Sequence, residues 1–318
     1  MKQIKKFFNI DFAIRYNFFK GNVIKNNYLM QKYIIVSSHP RSGTHFLIDS
    51  LILNFKNLSF PKIRPSYATI ENLLLPHDQE IFIQWEKWLS ECKKNKLIPL
   101  IKTHCLPDDI ETFIKTSPSK EAILLKNIYY NSTFIYIKRD PVNTLKSWFE
   151  FAKGGTVVTL NSAQHRFRNL NFKDFLFLEN LHKMPHRNFS NFDRNLIEFL
   201  SYHHASWAKL INEKESGIVI NYEDLKDNYE NTLSQIFIRF KFTKHKKYIV
   251  KPFTQNQAKI FRYILSAANK FKLMWIIEKL NFFKKISKAS SVPPSKKLKI
   301  NIDKADQDII QKIYKKVF

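Results

Sequence analysis

Four short apolar runs, separated by stretches long enough to hold crossover helices, constrain the fold of this chain more than any other feature. They are YIIVSS (33–38), LIPLIKTH (97–104), STFIYIK (132–138) and IVINYE (218–223). Runs of this length suit strands buried on both faces, as in a parallel sheet. Helical spacing marks THFLIDSLILNF (44–55), QWEKWLSECKKN (84–95), PVNTLKSWFEFAK (141–153) and FDRNLIEFLSYHHASWAKLINEK (192–214). The last carries apolar residues at 196, 197, 200, 207, 210 and 211, and Gly217 ends it. Strands alternating with helices predict an α/β fold with a mostly parallel central sheet flanked by helices. Residues 56–83, with Pro61, Pro65 and Pro76, read as loop, and 156–190 as basic and irregular. Helical stretches continue to about 280, a loop spans 284–299, and a final helix begins near Asp303. Residues 1–32 form a basic segment with Ile4, Phe7, Phe8, Ala13, Ile14 and Phe18 at loosely helical spacing, which core packing explains more readily than membrane docking. Residues 33–318 form the α/β domain.

Hydrophobic residues make up 44% of the 318, enough for a sizeable core and unlike a disordered chain. No run reaches the roughly 18 apolar residues of a membrane span, and the N-terminus has no uninterrupted apolar stretch of a secretory signal. Cys92 and Cys105 have neither metal-ligand spacing nor a disulfide framework, and read as reduced thiols in a cytoplasmic protein. Against 27 Asp and Glu stand 53 Lys and Arg, a formal charge of +26. Such a field attracts nucleic acid, an anionic membrane or a multiply charged small molecule without choosing among them. The lysines spread along the chain with no arginine-rich block, so much of the excess reads as a solvated face.

Three strand ends carry chemistry. After the first strand comes SHPRSGTHF (38–46), holding one of only five glycines in the chain. A strand, a short loop of small and hydroxyl residues and a helix start make an anion cradle, in which backbone N–H groups and the helix dipole face the loop. Gly43 permits a backbone conformation closed to side chains. Arg41 adds a permanent forked charge, and Ser42 and Thr44 add hydroxyls. An ordinary capped turn would read the same way. The loop is not G-x-x-x-x-G-K-[ST], because Ser38 and Thr44 stand where that pattern has its first glycine and its lysine; this disfavours a magnesium-dependent NTPase. In KRDPVNTLKSW (138–148), Asp140 caps the next helix, Pro141 takes its first position, and Arg139 lies at the strand's carboxyl end, where open α/β sheets bind ligands. Ser147, two helical turns on, shares a ligand with Arg139 if the helix runs alongside. In LIKTHCLP (100–107), Lys102 and His104 point to one side of a regular strand, a pair able to stabilise an oxyanion and accept a proton. His203 and His204, in mid-helix, read as structural.

Together and in this order, these segments resemble the sulfotransferases that use 3′-phosphoadenosine 5′-phosphosulfate. SHPRSGTHF resembles that family's 5′-phosphosulfate loop, KRDPVNTLKSW its 3′-phosphate motif, LIKTHCLP its Lys-Thr-His segment, and NYEDLKDN (221–228) a segment whose tyrosine lies near the adenine. The resemblance implies a single P-loop-like α/β domain and a metal-free transfer to a hydroxyl or amine of a small molecule, lipid or carbohydrate. It involves no specific nucleic acid and at most peripheral membrane contact. It implies that Arg41, Ser42, Gly43, Thr44 and His45 line the 5′-phosphosulfate, Arg41 supporting the leaving oxygen. Arg139 and Ser147 would hold the 3′-phosphate, His104 would be the general base, Lys102 would assist at the sulfuryl group, and Tyr222 would sit against the adenine. The chain departs from the cytosolic branch at His45 and Phe46, and it lacks the C-terminal Arg-Lys-Gly loop, where KKISKASSVPP offers Lys288 and Ser290. Two rival readings are a kinase with a degenerate phosphate loop and a basic protein that binds nucleic acid or anionic membranes. Neither accounts for Arg139 and Ser147 beside LIKTH.

Overall fold

The computed structural model describes residues 32–61, 68–74, 79–153, 170–177, 195–244, 249, 251–252 and 302–316. The chain divides into two units, and every element below lies in one of them, Lys32–Lys251 with Ser291–Phe318. The expected N-terminal segment and the 284–299 loop, with Lys288 and Ser290, lie outside the described residues.

In chain order the elements are β1 (Tyr33–Ser38), α1 (Thr44–Asn54), β2 (Leu58–Ser59), α2 (Ile70–Leu74), α3 (Gln79–Lys94), β3 (Ile98–Thr103), α4 (Pro107–Thr116), α5 (Lys120–Tyr130) and β4 (Ser132–Lys138). They continue with α6 (Pro141–Lys153), α7 (Phe172–Phe177), α8 (Leu196–Lys214), β5 (Gly217–Asn221), α9 (Tyr222–Asp227), α10 (Tyr229–Phe240) and α11 (Lys304–Lys316). The strands pair in the order β2-β3-β1-β4-β5, and every pairing is parallel. The expected α/β class therefore holds. The chain runs from central β1 out to β2, returns to β3 beside β1, then crosses to β4 and β5. The order reverses at β1, and ligands of open α/β sheets bind outside the carboxyl ends at such a point.

Local chemistry sets the element boundaries. All six residues of β1 are buried, so both faces need cover. Trp207 of α8 covers one, its indole 5.8 Å from the Phe134 ring and 6.4 Å from that of Tyr136. Phe55, directly after α1, stacks on Phe237 of α10 with ring centroids 6.3 Å apart. Asn195 caps α8 with a complete capping box, its Oδ1 accepting from Glu198 N and the Glu198 carboxylate accepting from Asn195 N. Asp140 caps α6 as expected, accepting from Asn143 N at 2.8 Å. A second core, built on Leu145, Trp148, Phe149, Phe175, Leu196 and Ile310, fixes α6 against α7, α8 and α11.

Several boundaries differ from the sequence reading. The 56–83 stretch holds β2, α2 and the start of α3, because Ala68, Ile70, Leu73 and Leu74 are buried with the core. Gly217 opens β5 instead of ending the preceding helix; α8 stops at Lys214, and Glu215 turns the chain in the left-handed conformation. Strand β5 ends at Asn221, so Tyr222 begins a helix rather than closing a strand. Phe172–Phe177 is helical within the region read as irregular. Among the described residues, no helix is long and apolar enough to cross a membrane.

Candidate active site

Four of the five strands deliver a side chain or loop to one place. The loop after β1 carries Arg41 to Gly43, and its backbone alternates in hand: φ is 71° at Arg41 and 96° at Gly43, with Ser42 between them outside the positive region. Alternating hands turn successive N–H groups to one side and form a concave anion cradle. Helix α1 starts directly from Gly43 with no side-chain cap, so its first N–H groups complete the cradle. Ser42 N donates to His39 O at 3.2 Å and closes the turn, while the Ser38 and Thr44 hydroxyls hydrogen-bond across its base.

Gly43 has a second reason to lack a side chain. A Cβ there would stand 2.2 Å from Cδ2 and 2.5 Å from Cε2 of Tyr222. The tyrosine ring, brought in by β5, therefore lies against the glycine. Its π face carries the Arg139 guanidinium, whose Cζ is 4.9 Å from the ring centroid. Arg139 Nη1 donates to Arg41 O at 2.9 Å, and Arg41 Nε donates to Ser147 Oγ at 3.4 Å. Arg139 and Ser147 thus converge on Arg41 from β4 and α6. Arg139 Nε is buried and has no hydrogen-bond partner among the described residues. A buried guanidinium donor left in this state suits an anionic ligand. The pKa of Arg41 is lowered by burial and then by Arg139, with Glu150 opposing, yet an arginine keeps its charge.

On the other side of β1, His104 is held at three points. Its backbone N–H donates to Glu71 Oε1 at 2.5 Å, and its carbonyl accepts from His203 Nε2 at 3.2 Å. Its Nδ1 lies 2.5 Å from the Ser38 carbonyl, which can only accept. That contact places the imidazole proton on Nδ1 and makes Nε2 the basic nitrogen. His203 is itself oriented by the Tyr136 hydroxyl, 3.1 Å from its Nδ1. Lys102 reaches the cradle by another route, its Nζ donating to His45 Nε2 at 3.4 Å. Burial, then Lys102 and then Arg41 push the pKa of His45 down to about 3, so it is neutral near pH 7.

All ten expected site residues lie around the ends of β1, β3, β4 and β5. Arg41, Gly43, Ser147, Arg139 and Tyr222 connect directly, and Lys102 with His45 and His104 with Ser38 adjoin them. The sequence reading missed Glu71 and gave His203 no part in the site. Glu71 lies in a stretch with no motif and a short helix. A signal for His203 did exist: with His204 it falls between 200 and 207 on the apolar stripe of α8, where an imidazole needs a polar partner.

No family model matches the chain, and no curated protein matches it. Among solved structures it is similar to mouse sulfotransferase SULT7A1 complexed with PAP, at 16% identity over 68% of this chain and 60% of that one, with a TM-score of 0.43. This chain thus spans 60% of the length of the mouse protein. It is also similar to retinol dehydratase in complex with androsterone and the inactive cofactor PAP, at 16% identity, 90% and 80% coverage and a TM-score of 0.39. A third likeness is the sulfotransferase domain from the curacin biosynthetic pathway, at 13% identity, 68% and 76% coverage and a TM-score of 0.36.

Proposed function

We propose that this chain transfers a sulfuryl group from 3′-phosphoadenosine 5′-phosphosulfate to a hydroxyl or amine acceptor. One observation carries the reading: the cradle glycine, the Tyr222 ring and the Arg139 guanidinium form a continuous stack beside an arginine-serine contact. An adenosine bisphosphate asks for such a set, an aromatic surface with arginines beside it. The cradle and Arg41 receive the 5′-phosphosulfate, Arg139 and Ser147 the 3′-phosphate, and Tyr222 the adenine.

In the transfer, His104 Nε2 takes the acceptor proton as the acceptor oxygen or nitrogen bonds to sulfur. The bond from sulfur to the 5′-phosphate oxygen breaks on the opposite side, and its electron pair stays with the departing adenosine 3′,5′-bisphosphate. Arg41 and the α1 N-terminus stabilise that oxygen, while Lys102 compensates charge on the sulfuryl oxygens. Such a transfer needs positioning and charge more than covalent help.

The test begins with calorimetry of adenosine 3′,5′-bisphosphate against AMP. It then incubates the protein with ³⁵S-labelled donor and a host-cell extract and identifies the labelled product by mass. Preference for the bisphosphate with a labelled product is expected. Equal binding of both nucleotides with no labelled product overturns the reading.

A further inference from the structure

We infer that His45 is a positioning residue: its neutral imidazole accepts from Lys102 and holds that ammonium at the cradle, where a donor's sulfuryl group would lie. The pairing rests on geometry alone; the sulfuryl group as what Lys102 meets rests on the function proposed above.

Lys102 leaves β3 at the end of a four-carbon stem, and its ammonium rotates freely unless something fixes it. A charge that must reorganise during reaction stabilises little, so an aimed cation is worth more than a nearby one. His45 sits in the first turn of α1, directly behind the cradle, and its Nε2 is 3.4 Å from Lys102 Nζ. An aspartate or glutamate there would also hold the lysine. It would at the same time cancel the ammonium's charge and place an anion in a site meant for anions. An imidazole accepts the hydrogen bond and leaves the net charge intact. The surroundings keep it in that form: Lys102 and Arg41 both face it, and it is largely buried. Donation from Lys102 also fixes the tautomer, with Nε2 as acceptor and the proton on Nδ1. Two imidazoles therefore flank β1 in opposite duties. His104 Nε2 remains the basic nitrogen, whereas His45 Nε2 is engaged by a cation and is a poor base.

Two measurements decide the matter. In long-range ¹H–¹⁵N spectra, His45 Nε2 should give the signature of an unprotonated acceptor, and Lys102→Met should move it; Lys102→Gln serves as a second variant. An unchanged His45 resonance in both variants, or one reporting a protonated Nε2, overturns the pairing. Calorimetry then compares the sulfated donor with adenosine 3′,5′-bisphosphate. His45→Ala and Lys102→Met should each reduce the preference for the sulfated nucleotide by about tenfold, and the double variant should fall no further than Lys102→Met. His45→Gln, whose amide oxygen stands near the place of Nε2, should restore the preference to within about threefold of wild type. His45→Ala weakening both nucleotides alike, or losses that add, would make His45 a direct ligand and overturn the inference. A wild-type protein that binds neither nucleotide refutes the proposed function, and the spectra still decide the His45 pairing.

Discussion

Replacing Gly43 by alanine tests the cradle with the smallest possible perturbation. At φ 96° any side chain is strained, and forcing an L-residue into the left-handed region costs about 1–2 kcal/mol. The new methyl would also stand 2.2 Å from Cδ2 of Tyr222, so the ring must leave. Moving it breaks the contact with Arg139, worth roughly 0.5–2 kcal/mol depending on desolvation. We expect Gly43→Ala to lose about 1.5–4 kcal/mol in urea denaturation. Affinity for adenosine 3′,5′-bisphosphate should fall more than about tenfold, or about 1.4 kcal/mol, because both the N–H cradle and the aromatic surface are displaced. Adding Tyr222→Ala separates the two causes. The double variant removes the collision but not the backbone strain, so its loss of stability should be smaller than the sum of the single losses by roughly 0.5–2 kcal/mol. A Gly43→Ala protein within about 0.5 kcal/mol of wild-type stability, with unchanged nucleotide affinity, would refute the reasoning.

Other consequences are equally direct. Arg139→Ala should erase most of the preference for adenosine 3′,5′-bisphosphate over AMP, as calorimetry would read; an undiminished preference places the 3′-phosphate elsewhere. His104→Ala should keep donor affinity within about threefold while lowering turnover a hundredfold or more, the usual worth of a positioned base; near-normal turnover in the labelled-donor assay would assign the proton transfer to another group. Acid should destabilise the fold through His45 and His204, whose pKa values burial lowers most, to about 3 and about 4. The unfolded chain takes up protons below about 6.5 that these histidines refuse when folded, so their contribution is complete above that pH and is lost as pH falls. Between pH 7 and pH 5 the loss should be roughly 2 kcal/mol for each, seen as a lower denaturation midpoint, and a flat profile would contradict their buried neutral state.

How much of this was legible in the sequence depends on the range of the interactions. Four of the strands and the cradle announced themselves because they are local: an apolar run, a glycine in a hydroxyl-rich loop, an aspartate before a proline; the two-residue β2 did not. Arg41, Lys102, His104 and Arg139 follow from standing at or just beyond strand ends. Helix α2 did not announce itself, since five residues carry too little periodicity. Its Glu71, which anchors the His104 backbone, was therefore lost with it. The contact of Gly43 with Tyr222 joins the loop after central β1 to the end of edge strand β5, in a sheet whose strand order no local pattern encodes. The N-terminal segment and the substitutes for the Arg-Lys-Gly loop fall outside the described residues.

That last contact has a consequence for synthesis of the protein on the ribosome. The cradle loop emerges early, on the strand that becomes the centre of the sheet, whereas its aromatic wall arrives only with the edge strand β5. A nascent chain that has not reached Tyr222 possesses the loop but lacks the surface that closes it. If the chain takes the nucleotide of the proposed function, its capture is deferred until β5 docks, and from that moment bound ligand stabilises the sheet by mass action. On that reading a column bearing adenosine 3′,5′-bisphosphate should retain chains that include β5 and Tyr222 and pass those stalled before them.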